Sequence, residues 1–191
     1  MKHLCVFASG EGTNTLNIIR YFREKGTAEV TMVVTNRADA GVIPKVRKLG
    51  IKVLVVTREE FYGNPDLLIH TLQDAGIDLI ILAGFLWMMP PRVIEAYPDR
   101  ILNIHPALLP RFGGKGMYGM HVHKAVLEAG ESESGITIHL VNEHYDEGAI
   151  LFQEKCCIEP DDTPYSLAQK IRLLEHRCFP LFIDSFLKEK K

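Results

Sequence analysis

The feature that most constrains this chain is an alternation in its first hundred residues. Apolar runs of strand length, Leu4 to Ala8, Val30 to Val34, Val53 to Val56, Leu79 to Leu82 and Ile101 to Ile104, are separated by longer stretches with helical spacing. In those stretches Leu16, Ile19 and Phe22 share one helix face, and so do Leu67, Leu68, Leu72 and Ala75. Runs that are apolar throughout suit strands covered on both faces, and strand, helix, strand in repetition predicts right-handed βαβ units and a mostly parallel sheet. At 191 residues with 47% apolar and 24% charged side chains, one ordinary core suffices, and a single domain over residues 1–191 is expected.

The second half changes period. Ile136, Ile138 and Leu140 alternate with Thr137 and His139, which predicts a strand with one exposed polar face, near a site or at a sheet edge. Ala149 to Cys157 is a further strand candidate. Thr163 and Pro164 read as the N-cap and first turn of a helix running toward Lys188, which Pro180 should break or kink.

Charge narrows the partners. Twenty-two basic against 24 acidic residues leave a formal charge of -2, so no broad basic surface exists for nucleic acid or an anionic membrane, and small-molecule substrates are expected. The longest apolar run, Leu79 to Met89, is too short to span a bilayer, and Ser9-Gly10 arrives too early for a signal peptide, which predicts a cytoplasmic protein. Cys5, Cys156, Cys157 and Cys178 form no CxxC and read as reduced thiols, neither redox nor zinc sites.

Three segments could carry chemistry. The first strand runs into Ser9-Gly10-Glu11-Gly12-Thr13-Asn14 and then a helix, where backbone N–H groups can face an anion. The same residues also suit a tight turn with Thr13 or Asn14 as helix cap. Thr15 at the third glycine position excludes the dinucleotide fingerprint, and Glu11 opposes a phosphate unless its side chain points away. At the end of the fifth strand Asn103 and His105, two apart, project to the same side; an amide donor beside an imidazole suits acyl transfer, while capping and turn bonds are the plainer use. Asp146, ahead of Gly148, is either a turn residue or, if folded against His105, a carboxylate that raises and orients the imidazole.

Other features invite weaker readings. His121 and His123 suit the start of a helix, and without HExxH or paired ligand spacing no metal site is expected. Trp87 is either core packing or the wall of a pocket for a flat heterocycle. Gly113 to Gly119, with four glycines, reads as a mobile loop that could close over a substrate, with Lys115 as a possible phosphate partner.

Together these segments resemble the folate-dependent formyltransferase family. The resemblance covers nearly the whole chain and rests on Ser9 to Asn14, Leu82-Ala83-Gly84-Phe85, Leu102 to Pro110 with its Asn-Ile-His-Pro core, Gly135 to His139, and Asp146-Glu147-Gly148. It implies an α/β fold with a Rossmann-like twisted sheet, helices on both faces and one antiparallel strand in the C-terminal half. A nucleotide-binding half would span about residues 1–100 and a catalytic, folate-binding half about 101–191. It further implies transfer of the formyl group of 10-formyltetrahydrofolate, bound as cosubstrate, to the amine of glycinamide ribonucleotide. Asn103, His105 and Asp146 would be catalytic. Gly10, Gly12, Thr13, Asn14 and Glu175 would bind the nucleotide, and Phe85, Leu86, Trp87, Met88, Met89, Val141, Asn142 and Tyr145 the folate. Without the resemblance Glu175 reads as an exposed helix residue. The segment from Arg111 to His123 is longer and richer in glycine than the family's usual connection, and Trp87-Met88-Met89 departs from its usual rim.

Three other readings use the same motifs. A formyltetrahydrofolate hydrolase would employ the same trio with water as acceptor, but normally carries a preceding regulatory domain. A methionyl-tRNA formyltransferase would need a basic surface and a further C-terminal domain. A non-catalytic nucleotide-binding module would have no use for Asn103 and His105 beside Asp146.

Overall fold

A computed structural model describes residues 1–189 of the chain; Lys190 and Lys191, the end of the expected domain, lie outside the described residues. Seven strands form one sheet: β1 (Lys2–Phe7), β2 (Ala28–Thr35), β3 (Lys52–Val55), β4 (Leu79–Leu82), β5 (Ile101–His105), β6 (Glu133–Leu140) and β7 (Ile150–Cys157), in the order β3-β2-β1-β4-β5-β6-β7. The first five are parallel neighbours, and β6 alone runs against them, antiparallel to both β5 and β7. The expected Rossmann-like sheet with one antiparallel strand is therefore present.

Alternation along the strands divides the core. Leu4 and Val6 of β1 face one layer while Cys5 and Phe7 face the other. On the first side pack α1 (Thr13–Lys25), α2 (Val42–Arg47), α5 (Met120–Glu128) and α6 (Pro164–Glu189), through residues such as Ile18, Phe22, Val46, Val126 and Ile171. On the second side pack a π-helical turn (Glu59–Gly63), α3 (Pro65–Asp74) and α4 (Pro91–Ala96), through Phe61, Leu68, Leu72 and Val93. No helix among the described residues is long and apolar enough to cross a membrane.

Two local expectations need correcting. Neither Thr13 nor Asn14 caps α1: the cap is Gly12, at φ 71°, where a Cβ would lie 2.2 Å from Val42 Cγ2. Thr163 does cap α6, its Oγ1 accepting from Ser166 N–H at 3.2 Å, but the helix does not stop at Pro180 and continues to Glu189. Pro180 has no N–H for the carbonyl of His176 four residues back, and Asn17 Nδ2 on α1 supplies the missing donor at 2.7 Å.

The alternating strand β6 also differs from expectation. Its polar face is buried, with Thr137 0% and His139 2% exposed: Thr137 is bonded to Ala107, Leu109 and Gln153, and His139 lines the cleft at the carboxyl ends of the parallel strands.

Candidate active site

β5 delivers Asn103 and His105 on one side of the sheet, and the antiparallel ladder sets Asn103 opposite His139 and His105 opposite Thr137. Residues directly opposite in such a ladder bring their side chains into contact, and Asn103 Nδ2 lies 3.0 Å from His139 Nε2. His139 Nδ1 donates to the Leu140 carbonyl at 2.8 Å, and its Nε2 faces both the Asn103 amide and, at 3.6 Å, Asp146 Oδ1.

Asp146 comes from the loop after β6, in the left-handed region at φ 57°. A Cβ on Gly148 would sit 1.7 Å from the Leu140 carbonyl oxygen. Only glycine therefore lets the loop fold back on the end of β6, and that return carries the carboxylate over β5. Asp146 Oδ1 accepts from Asn103 Nδ2 at 3.4 Å, Oδ2 lies 3.4 Å from His105 Nδ1, and Gly114 N–H donates to Oδ2 at 2.9 Å. The glycine-rich loop is thus tied directly to the carboxylate. Burial alone would raise the Asp146 carboxyl, but the facing His139 and His105 rings and the Gly114 N–H outweigh it and hold the group below 3.8.

His105 is 3% exposed, and its other nitrogen, Nε2, donates to the Phe112 carbonyl at 2.8 Å. Phe112 sits at φ 57°, a conformation a bulky residue adopts only under restraint. The segment that leads to it is anchored on β6 and β7. Thr137 Oγ1 accepts from Leu109 N–H at 3.0 Å and donates to the Ala107 carbonyl at 2.7 Å, while Gln153 Nε2 donates to the Leu109 carbonyl at 2.9 Å. Both His105 nitrogens face oxygens, an arrangement only the imidazolium satisfies in full. Burial nevertheless prevails over Asp146 and Phe112, and the His105 pKa lies below 6.5.

These groups lie in a cleft of about 750 Å3 that also collects the residues assigned to the nucleotide and to the folate. At one end are Gly10, Gly12, Thr13 and Asn14, with Glu175 of α6. The first helical bond of α1 runs from Leu16 N–H to the Gly12 carbonyl at 2.9 Å, so the N–H groups of Thr13, Asn14 and Thr15 have no partner within the helix. Glu11 also lines the cleft, and Lys45 Nζ, 2.6 Å from its Oε2, offsets its charge. Glu175 is not the exposed helix residue of the plainer reading. Burial raises its pKa above 4.5, against the lowering effects of the Asn14 amide, at 2.9 Å, and of Arg172.

The other end is walled by Phe85, Leu86, Trp87, Met88 and Met89 on one side and by Val141, Asn142 and Tyr145 on the other. Ser9 Oγ accepts from Leu86 N–H at 3.0 Å and donates to Asn36 at 2.6 Å, fixing the wall to β1 and β2. Trp87 packs on Phe61 and Tyr62 with ring centroids 5.4 and 5.8 Å apart, and it also lines the cleft. Tyr62 donates to the Met88 carbonyl at 3.1 Å.

Sequence reasoning left His139, Arg172 and His123 outside the site, and all three line the cleft. The period of two on β6 was the available signal for His139. Arg172 lies one turn before Glu175 on the same helix face, which the spacing could have shown once Glu175 was chosen. His123 on α5 is 5% exposed, and burial, aided by the His105 charge, pushes its pKa down to about 4. Lys115 borders the cleft among the loop residues.

The start of α1 and an apolar wall thus meet over an amide, an imidazole and a carboxylate in one cleft of a Rossmann-like sheet. The chain belongs to the formyl transferase family, whose model matches residues 2–183. It is 43% identical over 194 residues to an Arabidopsis thaliana phosphoribosylglycinamide formyltransferase, covering 99% of this chain and 66% of the plant protein. A Haemophilus influenzae phosphoribosylglycinamide formyltransferase is 35% identical over 190 residues, 97% of this chain and 87% of the bacterial one. The chain thus spans about two thirds of the plant relative's length and most of the bacterial relative's. Among solved structures, phosphoribosylglycinamide formyltransferase from Bacillus halodurans superposes with a TM-score of 0.88 at 33% identity, covering 100% of this chain and 97% of that one. The Brucella melitensis enzyme gives 0.87 at 36% identity, covering 97% and 95%.

Proposed function

We propose that this transferase moves the formyl group of 10-formyltetrahydrofolate to the amine of phosphoribosylglycinamide, the nucleotide whose name its relatives carry. The observation that carries this reading is the meeting of Asn103, His105 and Asp146 between two ends of one cleft, one suited to a phosphate and the other to a flat heterocycle. The phosphate docks on Gly12, Thr13 and Asn14 at the start of α1, with Gly10 allowing close approach and Arg172 nearby, and Glu175 accepts from the ribose hydroxyls. The pterin lies between the wall at Phe85 to Met89 and the segment holding Val141, Asn142 and Tyr145.

The amine nitrogen attacks the formyl carbon, a C–N bond forms, and the carbonyl electrons move to oxygen. Asn103 and His105 then donate to that oxygen, exchanging bonds they make in the resting cleft with His139, Asp146 and Phe112. Asp146, held anionic, stabilises the protonated form of His105 that makes this donation. When the intermediate collapses, the bond from carbon to the folate nitrogen breaks, and that nitrogen receives the proton given up by the amine. No covalent bond to the protein is required.

The reaction is followed by the absorbance of tetrahydrofolate formed from 10-formyltetrahydrofolate. Turnover that depends on phosphoribosylglycinamide is expected. Equal turnover in its absence would make the protein a hydrolase, and no turnover with either would remove the enzymatic reading of this cleft.

A further inference from the structure

Pro180 creates an acceptor that a single donor uses. In the interior of a helix each carbonyl already accepts from the N–H four residues on, so a side chain of a neighbouring helix gains less by adding a second donor to it. Within α6 the His176 carbonyl is the exception, because residue 180 is proline, and Asn17 Nδ2 of α1 donates to it at 2.7 Å. The contact sits between two others: Asn14 Nδ2 to Glu175 Oε2 at 2.9 Å before it, and Tyr21 to Asp184 at 3.3 Å after it. Positions 14, 17 and 21 share one face of α1, and their partners advance in the same direction along α6.

We infer that Asn17 is a positioning residue for the nucleotide end of the cleft, setting α1 against Glu175 through the carbonyl that Pro180 leaves open. The inference rests on the nucleotide role proposed above for the start of α1 and for Glu175. Its logic is one of register. A carboxylate or hydroxyl partner can be met from many directions, whereas one carbonyl in a helix wall is met from one position. A slide of α1 by a helical turn would leave the His176 carbonyl without a partner and part Asn14 from Glu175. The two groups meant to grip opposite ends of a ribose phosphate therefore stand on helices locked one residue away from the grip, at His176 beside Glu175 and one turn beyond Asn14.

The test is steady-state kinetics on Asn17→Leu, Pro180→Ala and the double variant, with Glu175→Ala as a reference. In Pro180→Ala the new N–H at 180 satisfies the His176 carbonyl from within α6. Asn17→Leu is expected to raise KM for phosphoribosylglycinamide about 3- to 10-fold, with kcat and the folate KM changed less than about 2-fold. In the Pro180→Ala background the same substitution should have an effect of less than about 2-fold. A lower Tm with no change in nucleotide KM, an equal rise for both substrates, or an undiminished effect beside Pro180→Ala would overturn the inference. If Glu175→Ala leaves nucleotide KM unchanged, the assignment of the nucleotide end is what fails; if it raises KM while Asn17→Leu does not, only the role of Asn17 fails. Should Asn17→Leu not fold, Asn17→Ser, too short to reach the carbonyl, is read by the same criteria.

Discussion

The Asp146 carboxylate stands 3.4 Å from His105, Oδ2 to Nδ1, although 41 positions in sequence separate them, and it supplies the main favourable charge opposing burial of the imidazole. Asp146→Asn keeps the shape and removes the charge. The His105 pKa, already below 6.5, should fall further, so the alkaline limb of the kcat profile moves to lower pH. Rates measured across pH 5 to 9 check this; an unmoved limb would separate Asp146 from the charge on His105.

Asn103→Ala deletes a neutral donor and should act differently. A loss on the order of 10²–10³ in kcat with little displacement of the pH profile is expected. Because Asn103 and Asp146 touch, the double variant should lose less than the product of the single losses. Near-normal kcat in both single variants would reduce the pair to turn-forming residues.

Gly12 is constrained twice, by φ 71° and by Val42 Cγ2 at 2.2 Å from where a Cβ would lie. Gly12→Ala should destabilise the fold by about 1–2 kcal/mol or more from the backbone conformation alone, read as a lower urea midpoint. It should also weaken phosphoribosylglycinamide binding while leaving the folate KM near normal. Calorimetry that finds the folate affected and the nucleotide not would reverse the two ends of the cleft.

His123 links the cleft to acid stability. Its folded pKa of about 4 lies below the ordinary 6.5, so between those values the unfolded chain binds more protons and stability falls as pH falls. His105, shifted in the same direction, adds to the loss. His123→Gln should flatten the dependence of Tm on pH between about 6.5 and 4 relative to the parent chain. An identical slope in both proteins would show that His123 is not buried as a neutral ring.

Much of the layout was legible because it is local. Apolar runs at Leu4 to Ala8 and Leu79 to Leu82 predict covered strands, and each forms with its ends within two residues. Thr163 and Pro164 mark the start of α6 because capping involves groups three residues apart. Pro180 shows the limit of local reasoning: a proline in a helix predicts a break or a kink, and where α6 continues past it the carbonyl it leaves open is taken by Asn17, on a helix far away in sequence.

By itself the sequence determined the α/β architecture, the parallel sheet with its change of period in the second half, and the pairing of Asn103 with His105, since periods of two and 3.6 are properties of neighbouring residues. Tertiary structure alone decided which distant groups those two would meet. The antiparallel register of β6 set His139 against Asn103, the close approach at Gly148 swung Asp146 over both, and the left-handed turn at Phe112 aimed a carbonyl at His105. It also decided protonation. Whether His105 and His123 carry charge depends on how much water the packed cleft removes and on which carboxylate faces them, and both are sums over contacts between segments that no local pattern encodes.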